Sequence, residues 1–171
     1  MVAGQGTVGK EIHEQVDGVE VIYCSIGGGG LIGGMGAYFK AVKPGVEIIG
    51  VLPVMSPAMH LCMAVGKTID GPVKPSLSDG TAGNLEPGSM TLPLCQKVVD
   101  QTILVTEEEI GDAMRMVHKE LGLKIEGAAG CAFAGVLRDR KRIGNKKACV
   151  VICGSNIDTE KFERVLAGQN A

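Results

Sequence analysis

Four consecutive glycines, Gly27 to Gly30, follow an apolar run and precede a helical pattern. Residues without a Cβ let successive backbone N–H groups converge on an anion, and a helix N-terminus behind them adds about half a positive charge. The loop is therefore suited to holding a phosphate without help from Lys or Arg, although a tight strand-to-helix turn alone would also use glycine. Gly28, Gly30 and Gly33 also satisfy G-x-G-x-x-G, the dinucleotide fingerprint, which needs an acid about 20 residues further on at the end of the second strand. That end reads Val51, Leu52, Pro53, and Glu47 stands at the strand's start. A dinucleotide site is accordingly the weaker reading, and with no G-x-x-x-x-G-K-[ST] in the chain a P-loop is excluded.

Two further turns carry chemical groups. Cys153, Gly154, Ser155 and Asn156 follow the last apolar run; a thiol at a strand's end can bond a heterocyclic nitrogen without bringing charge, though an inert core cysteine is the competing explanation. Lys124, Ile125 and Glu126 place a carboxylate at the start of a small-residue helix, where its ordinary work is to stabilise the helix dipole. His13, His60 and His118 have no Ser, Cys or Asp at nucleophile spacing and read as helix-face or surface residues.

These turns need strands and helices to hold them. The apolar, β-branched run Val19 to Ile26 predicts a strand, Leu31 to Val42 a helix ended by Pro44 and Gly45, and Glu47 to Leu52 a second strand stopped by Pro53, together the size of a βαβ unit. A short helix from Ser56 or Pro57 to Val65 follows, then an irregular stretch over 67–91, a helix over Leu92 to Val99 and a strand over Thr102 to Val105. Thr106 and Glu109 have capping-box spacing. Ile110, Ala113, Met114, Val117 and Leu121 form one face of the helix they open, and Gly122 closes it. Glu126 to Leu137 predicts a buried helix, the basic run Arg138 to Lys147 a solvated turn, Ala148 to Cys153 a central strand and Asp158 to Leu166 a closing helix. The alternation implies an α/β fold: one domain over 1–171, an open, mostly parallel sheet with helices on both faces in three αβα layers.

Composition removes several functions. With 17 Lys and Arg against 19 Asp and Glu, three Phe, two Tyr and no Trp, the chain lacks both the basic surplus and the stacking platforms of a nucleic-acid binder. No apolar run reaches membrane-span length, and the N-terminus has neither a basic n-region nor an apolar h-region, so a soluble, cytoplasmic protein is expected. Its six cysteines show no metal-ligand spacing, which suits a reducing compartment and no zinc.

Seven segments in order, AGQGT at 3–7, IGGGGLIGG at 26–34, IIGVLP at 48–53, SDG at 78–80, VTEEEI at 105–110, IEGAAG at 125–130 and VVICGSNID at 150–158, resemble the fold type II pyridoxal-phosphate enzymes of the threonine and serine dehydratase and serine racemase group. The resemblance covers nearly the whole chain and implies the C-terminal part of that fold's large domain. It implies pyridoxal 5'-phosphate as cofactor, with Gly27, Gly28, Gly29 and Gly30 and the Leu31 amide on the phosphate. Cys153 would face the pyridine nitrogen, and Gly80 and Glu126 would lie beside the ring. The implied reaction is β-elimination of water from threonine or serine, giving a 2-oxo acid and ammonia.

The family's cofactor lysine lies in a Ser-x-Lys-x-Arg-Gly-type segment ahead of AGQGT. None of the twelve lysines here stands in that context, so the chain alone is expected to be inactive. Its completion would come from an N-terminal half or a complement chain; a non-catalytic phosphate-binding or interaction module, its exposed sheet edge covered by self-association into a homo-oligomer, is the alternative. Some members bind a divalent metal where an acid precedes Pro; here Leu52 does, with Ser56 and Ala58 at the further ligand positions, so no metal is expected.

Overall fold

The computed structural model describes residues 2–169. Four parallel strands, β1 (Val21–Ser25), β2 (Glu47–Pro53), β3 (Gln101–Val105) and β4 (Ala148–Val150), lie in the order β3-β2-β1-β4. Among the described residues seven α-helices accompany them: α1 (Val2–Gln15), α2 (Gly30–Val42), α3 (Ala58–Val65), α4 (Thr91–Val98), α5 (Glu107–Leu121), α6 (Gly127–Ile143) and α7 (Thr159–Leu166). None of the described helices is long and apolar enough to cross a membrane.

Strand alternation divides the core in two. Ile22, Cys24, Ile48 and Leu52 face one layer, packed with Ile32, Met35 and Phe39 of α2, Met59 and Cys62 of α3, and Cys95 of α4. Val21, Tyr23, Ile49, Val51 and Val105 face the other, packed with Ile110, Met114 and Val117 of α5, Ala129 and Ala134 of α6, and Phe162 of α7. Side chains at i and i+1 of a strand point to opposite faces, so each central strand feeds both layers. The expected three-layer α/β architecture is present.

Local signals hold where they were strong. Thr106 caps α5, accepting from the Glu109 N–H at 3.2 Å while Glu109 accepts from the Thr106 N–H at 2.7 Å, and Gly122 ends the helix at φ 67°. Leu121 departs from the expected apolar face: it is the last residue of α5 and is exposed. The stretch 67–91 contains a 3-10 turn, Asp79–Thr81, and is docked on the domain by buried Leu77, Ser78 and Thr81.

Two expectations are corrected, and one element was not foreseen. The basic run is not a turn: α6 continues through Arg138 to Ile143, where Arg138 pairs with Glu109 at 2.8 Å and Arg142 pairs with Asp139 at 2.6 Å and Glu47 at 2.7 Å. Ala148 to Cys153 is not a central strand; β4 has three residues, sits at the sheet edge, and leaves Ile152 exposed. The N-terminal residues, read without an element, form α1 despite Gly4, Gly6 and Gly9. The helix lies so close on α2 that a Cβ at Gly34 would collide with the Val2 carbonyl and the Gln5 side chain. Packing there outweighs poor helix propensity.

Candidate active site

The C-terminal ends of β1 and β4 and the first turns of α2 and α6 surround a cavity of about 220 Å3. After Ser25 the chain makes its last sheet bond, from the Ile26 N–H to the Val51 carbonyl at 2.9 Å, and turns through Gly27 and Gly28. Gly29, at φ 79°, then admits the chain to α2. This backbone favours glycine, and a Cβ would also strike Met59 and Cys95. No side chain caps α2, so the N–H groups of its first turn are free to bond a ligand. Gly28 faces open space: a Cβ there would meet no heavy atom within 4 Å.

The facing wall is the Asp79–Thr81 turn. Glu107 anchors the chain leading to it, accepting from Ser76 Oγ at 2.8 Å and the Leu77 N–H at 2.6 Å. Within the turn, Thr81 Oγ1 donates to the Ser78 carbonyl at 2.9 Å, and Lys161 of α7 donates to Asp79 at 2.7 Å. Gly80 presents its bare α-carbon to the cavity, where a Cβ would stand 3.9 Å from Glu126 Oε1.

Glu126 precedes α6 but does not cap it with its side chain. Its carboxylate instead accepts from the Asn156 N–H at 3.2 Å, and its own N–H donates to the Gly154 carbonyl at 3.2 Å. The loop after β4 and the start of α6 are thus joined at the cavity. Cys153 completes the ring of groups. Cys153 is exposed as a residue, but partial burial of its sulfur pushes the thiol above its usual value, and a hydrogen bond with Ser25, 3.6 Å from Oγ to Sγ, partly offsets that. The thiol is neutral at pH 7 and can bond a ring nitrogen without charging it.

The residues that the resemblance places at the cofactor, Gly27, Gly28, Gly29, Gly30, Leu31, Gly80, Glu126 and Cys153, line this one cavity, whereas Lys124, Gly154, Ser155 and Asn156 of the same turns do not. Ser25, Ile32, Thr81 and Ala128 line it too and were missed. Ser25 was findable, as the strand-end position just before the glycines; Thr81 reaches the site only through a long connection. No lysine is among the lining residues. The histidines stand away from the cavity: His13 shares a hydrogen bond with the Tyr38 hydroxyl at 3.2 Å, His60 with Thr102 Oγ1 at 2.7 Å, and His118 is edge-on to Phe162. A larger hollow of about 350 Å3 between Pro75–Leu77 and α7 contains none of these groups.

A parallel α/β sheet whose strand ends carry a glycine loop with an uncapped helix start and a neutral thiol around one cavity has the layout of a cofactor-binding α/β domain. The chain belongs to the pyridoxal-phosphate dependent enzyme family, whose model matches residues 1–154. It is 38% identical over 166 residues to L-threonine ammonia-lyase of Thermotoga maritima, covering 97% of this chain and 41% of that protein. It is 31% identical to serine racemase of Dictyostelium discoideum, covering 97% and 52%. The processed form of threonine deaminase isoform 2 from Solanum lycopersicum superposes with a TM-score of 0.90 at 32% identity, over 98% of this chain and 47% of that one. The chain thus spans about half the length of these relatives or less, and its fold is fold type II.

The family's cofactor is pyridoxal phosphate. The residues present fit it: open space at Gly28, uncapped N–H groups at the start of α2, bare Gly80 and an uncharged thiol around one cavity.

Proposed function

We propose that these residues form the C-terminal, cofactor-holding part of a threonine/serine dehydratase-type ammonia-lyase, acting by β-elimination of water from a hydroxy amino acid. The products are a 2-oxo acid and ammonia once the released imine hydrolyses. When bound, pyridoxal phosphate supplies the electron sink for chemistry at the amino acid's α-carbon. The chain's own part is to hold the phosphate on Gly27 to Gly30 and the Leu31 amide, to leave room for the ring beside Gly80 and Glu126, and to keep a neutral donor, Cys153, at the ring nitrogen. An uncharged partner leaves that nitrogen unprotonated, which suits loss of a β-hydroxyl.

The carrying observation is the convergence of these groups on a cavity that no lysine lines. The lysine that takes the α-proton then belongs to an N-terminal half, and these 171 residues alone are inactive. Six free thiols suit a reducing cytoplasm.

The test is to incubate the purified chain with pyridoxal phosphate and threonine or serine. Phosphate-competable binding without a borohydride-fixed adduct, and without ammonia, is expected. Release of ammonia by the chain alone, or an adduct mapped to one of its lysines, would overturn the proposal.

A second reading, a non-catalytic phosphate-binding or interaction module of the same descent, draws on the open outer edge of β4 and exposed Ile152. An unpaired apolar edge favours association, as a homo-oligomer or with a complement chain. Ammonia release on adding the segment that precedes the matched region in the Thermotoga relative favours the enzyme half; stable self-association without any gain of activity favours the module.

A further inference from the structure

Ser25 is 6% exposed, yet it lines the cavity between the glycine loop and Cys153. Among the described residues its hydroxyl has one hydrogen-bond partner, Cys153 Sγ, at 3.6 Å. Either group could donate, and chemistry separates the two cases. A hydroxyl is a strong donor, whereas a thiol is a weak donor and a weak acceptor. If the thiol donated, the Ser25 proton would be left without a protein acceptor in a buried setting, which is the costlier arrangement. If Ser25 donates, its proton is satisfied and the S–H is left over.

We propose that Ser25 is a positioning residue for Cys153: its hydroxyl donates to Cys153 Sγ and leaves the thiol proton for an acceptor in the cavity. On the reading above, which this inference deepens, that acceptor is the pyridine nitrogen of the cofactor. A proton donated to sulfur draws electron density from it and makes the S–H a better donor in turn. The same bond persists to a thiolate, so Ser25 also favours ionisation of Cys153. The other titratable group acting on this sulfur is the Glu126 carboxylate ahead of α6; Cys131 within α6 and Cys24 on β1 also face it, and a charge on Cys153 would raise both. Burial pushes the thiols of Cys24 and Cys131 up, so they stay neutral, and the Glu126 carboxylate opposes the thiolate.

The experiment follows alkylation of Cys153 by iodoacetamide against pH, without cofactor, by peptide mass mapping. Cys24, Cys62, Cys95 and Cys131 are buried, and mapping separates Cys149. In Ser25→Ala the alkylation midpoint moves to higher pH and the rate at pH 8 falls roughly three- to tenfold, the worth of one modest hydrogen bond. Ser25→Thr, which keeps a hydroxyl, restores the wild-type profile. Ser25→Cys, a weaker donor of similar shape, falls between them and serves if the alanine variant does not fold. Identical profiles in wild type and either donor-weakened variant overturn the proposal. Repeating the reaction with pyridoxal phosphate separates this inference from the reading it deepens. Protection of Cys153, needing several-fold more cofactor in Ser25→Ala, supports both. A shifted profile with no protection in the wild type supports the Ser25 to Cys153 bond and counts against the cofactor reading.

Discussion

Replacing Gly28 by alanine separates the phosphate cradle from the fold that carries it. A Cβ at this position meets no heavy atom within 4 Å, and Gly28 is not among the residues with positive φ, so the backbone accepts the methyl without strain. Folding stability is therefore expected to change by no more than about 0.5 kcal/mol, as for surface substitutions. For a chain of this size that is a melting shift of roughly 2 °C or less. The open space belongs to the cavity that Gly28 lines with its neighbours, and the methyl occupies room a phosphate needs. A hydrogen bond from a backbone N–H to a charged oxygen contributes about 1.5–3 kcal/mol. Losing one such bond weakens binding by about 10- to 150-fold. The assay is a pyridoxal-phosphate titration followed by visible absorbance, with inorganic phosphate as competitor, beside a thermal melt of the same sample. Unchanged affinity in Gly28→Ala would refute the cradle. A melting temperature lower by about 5 °C or more would refute the claim that the site is open.

Gly127→Ala should behave in the opposite way: its Cβ would collide with the Leu77 carbonyl and stand 2.9 Å from the Ser78 N–H, backbone against backbone. A loss at or above the upper end of the about 1–3 kcal/mol range for overpacking is expected in urea unfolding, and a loss under about 0.5 kcal/mol would show that α6 and the turn can part freely. Thr106→Ala removes the reciprocal cap of α5 and should cost about 1 kcal/mol; a midpoint unchanged in urea would mean that packing alone holds that helix end. Acid should weaken the fold through one cluster. Hydrogen bonds from Lys146 and Arg142 hold Glu47 below the usual carboxylate range. For Asp139 burial pushes upward but is outweighed by Arg142 and the Tyr23 hydroxyl, which donates at 2.6 Å. Depressed folded values give stability that is present above the unfolded pKa, about 4, and is lost as pH falls through the folded values. Unfolding free energy measured at a series of pH values should decline below about pH 4, less steeply in Arg142→Ala; equal slopes would contradict the assignment.

What could be read from the chain was what lies close together in it. β1, the glycine loop and α2 form one continuous stretch from Val21 to Val42, so strand propensity, turn chemistry and helix periodicity all speak within one short segment. Thr106 and Glu109 are three residues apart and announce their own cap. α1 could not be read this way, because Gly4, Gly6 and Gly9 each cost up to about 1 kcal/mol relative to alanine in a helix. The compensation is the close approach to Gly34 in α2, a contact no local window contains. The extension of α6 was hidden for a similar reason: the basic run reads as solvated until Glu109, Asp139 and Glu47 are seen around Arg138 and Arg142.

β4 and Ser25 teach more by their misfit. Ala148 to Cys153 has the composition of a strand buried on both faces, yet it stands at an open edge with Ile152 40% exposed. On the proposed function, such a mismatch between composition and exposure is accounted for by a neighbour that the other half of the enzyme supplies. Ser25 is a polar residue inside a strand whose burial pattern is otherwise that of core. Its reason is Cys153, 128 residues away. A buried hydroxyl is tolerated where it has a partner, and here the partner is a thiol at the mouth of the cavity, so the one polar break in β1 is also the point where the fold meets its chemistry.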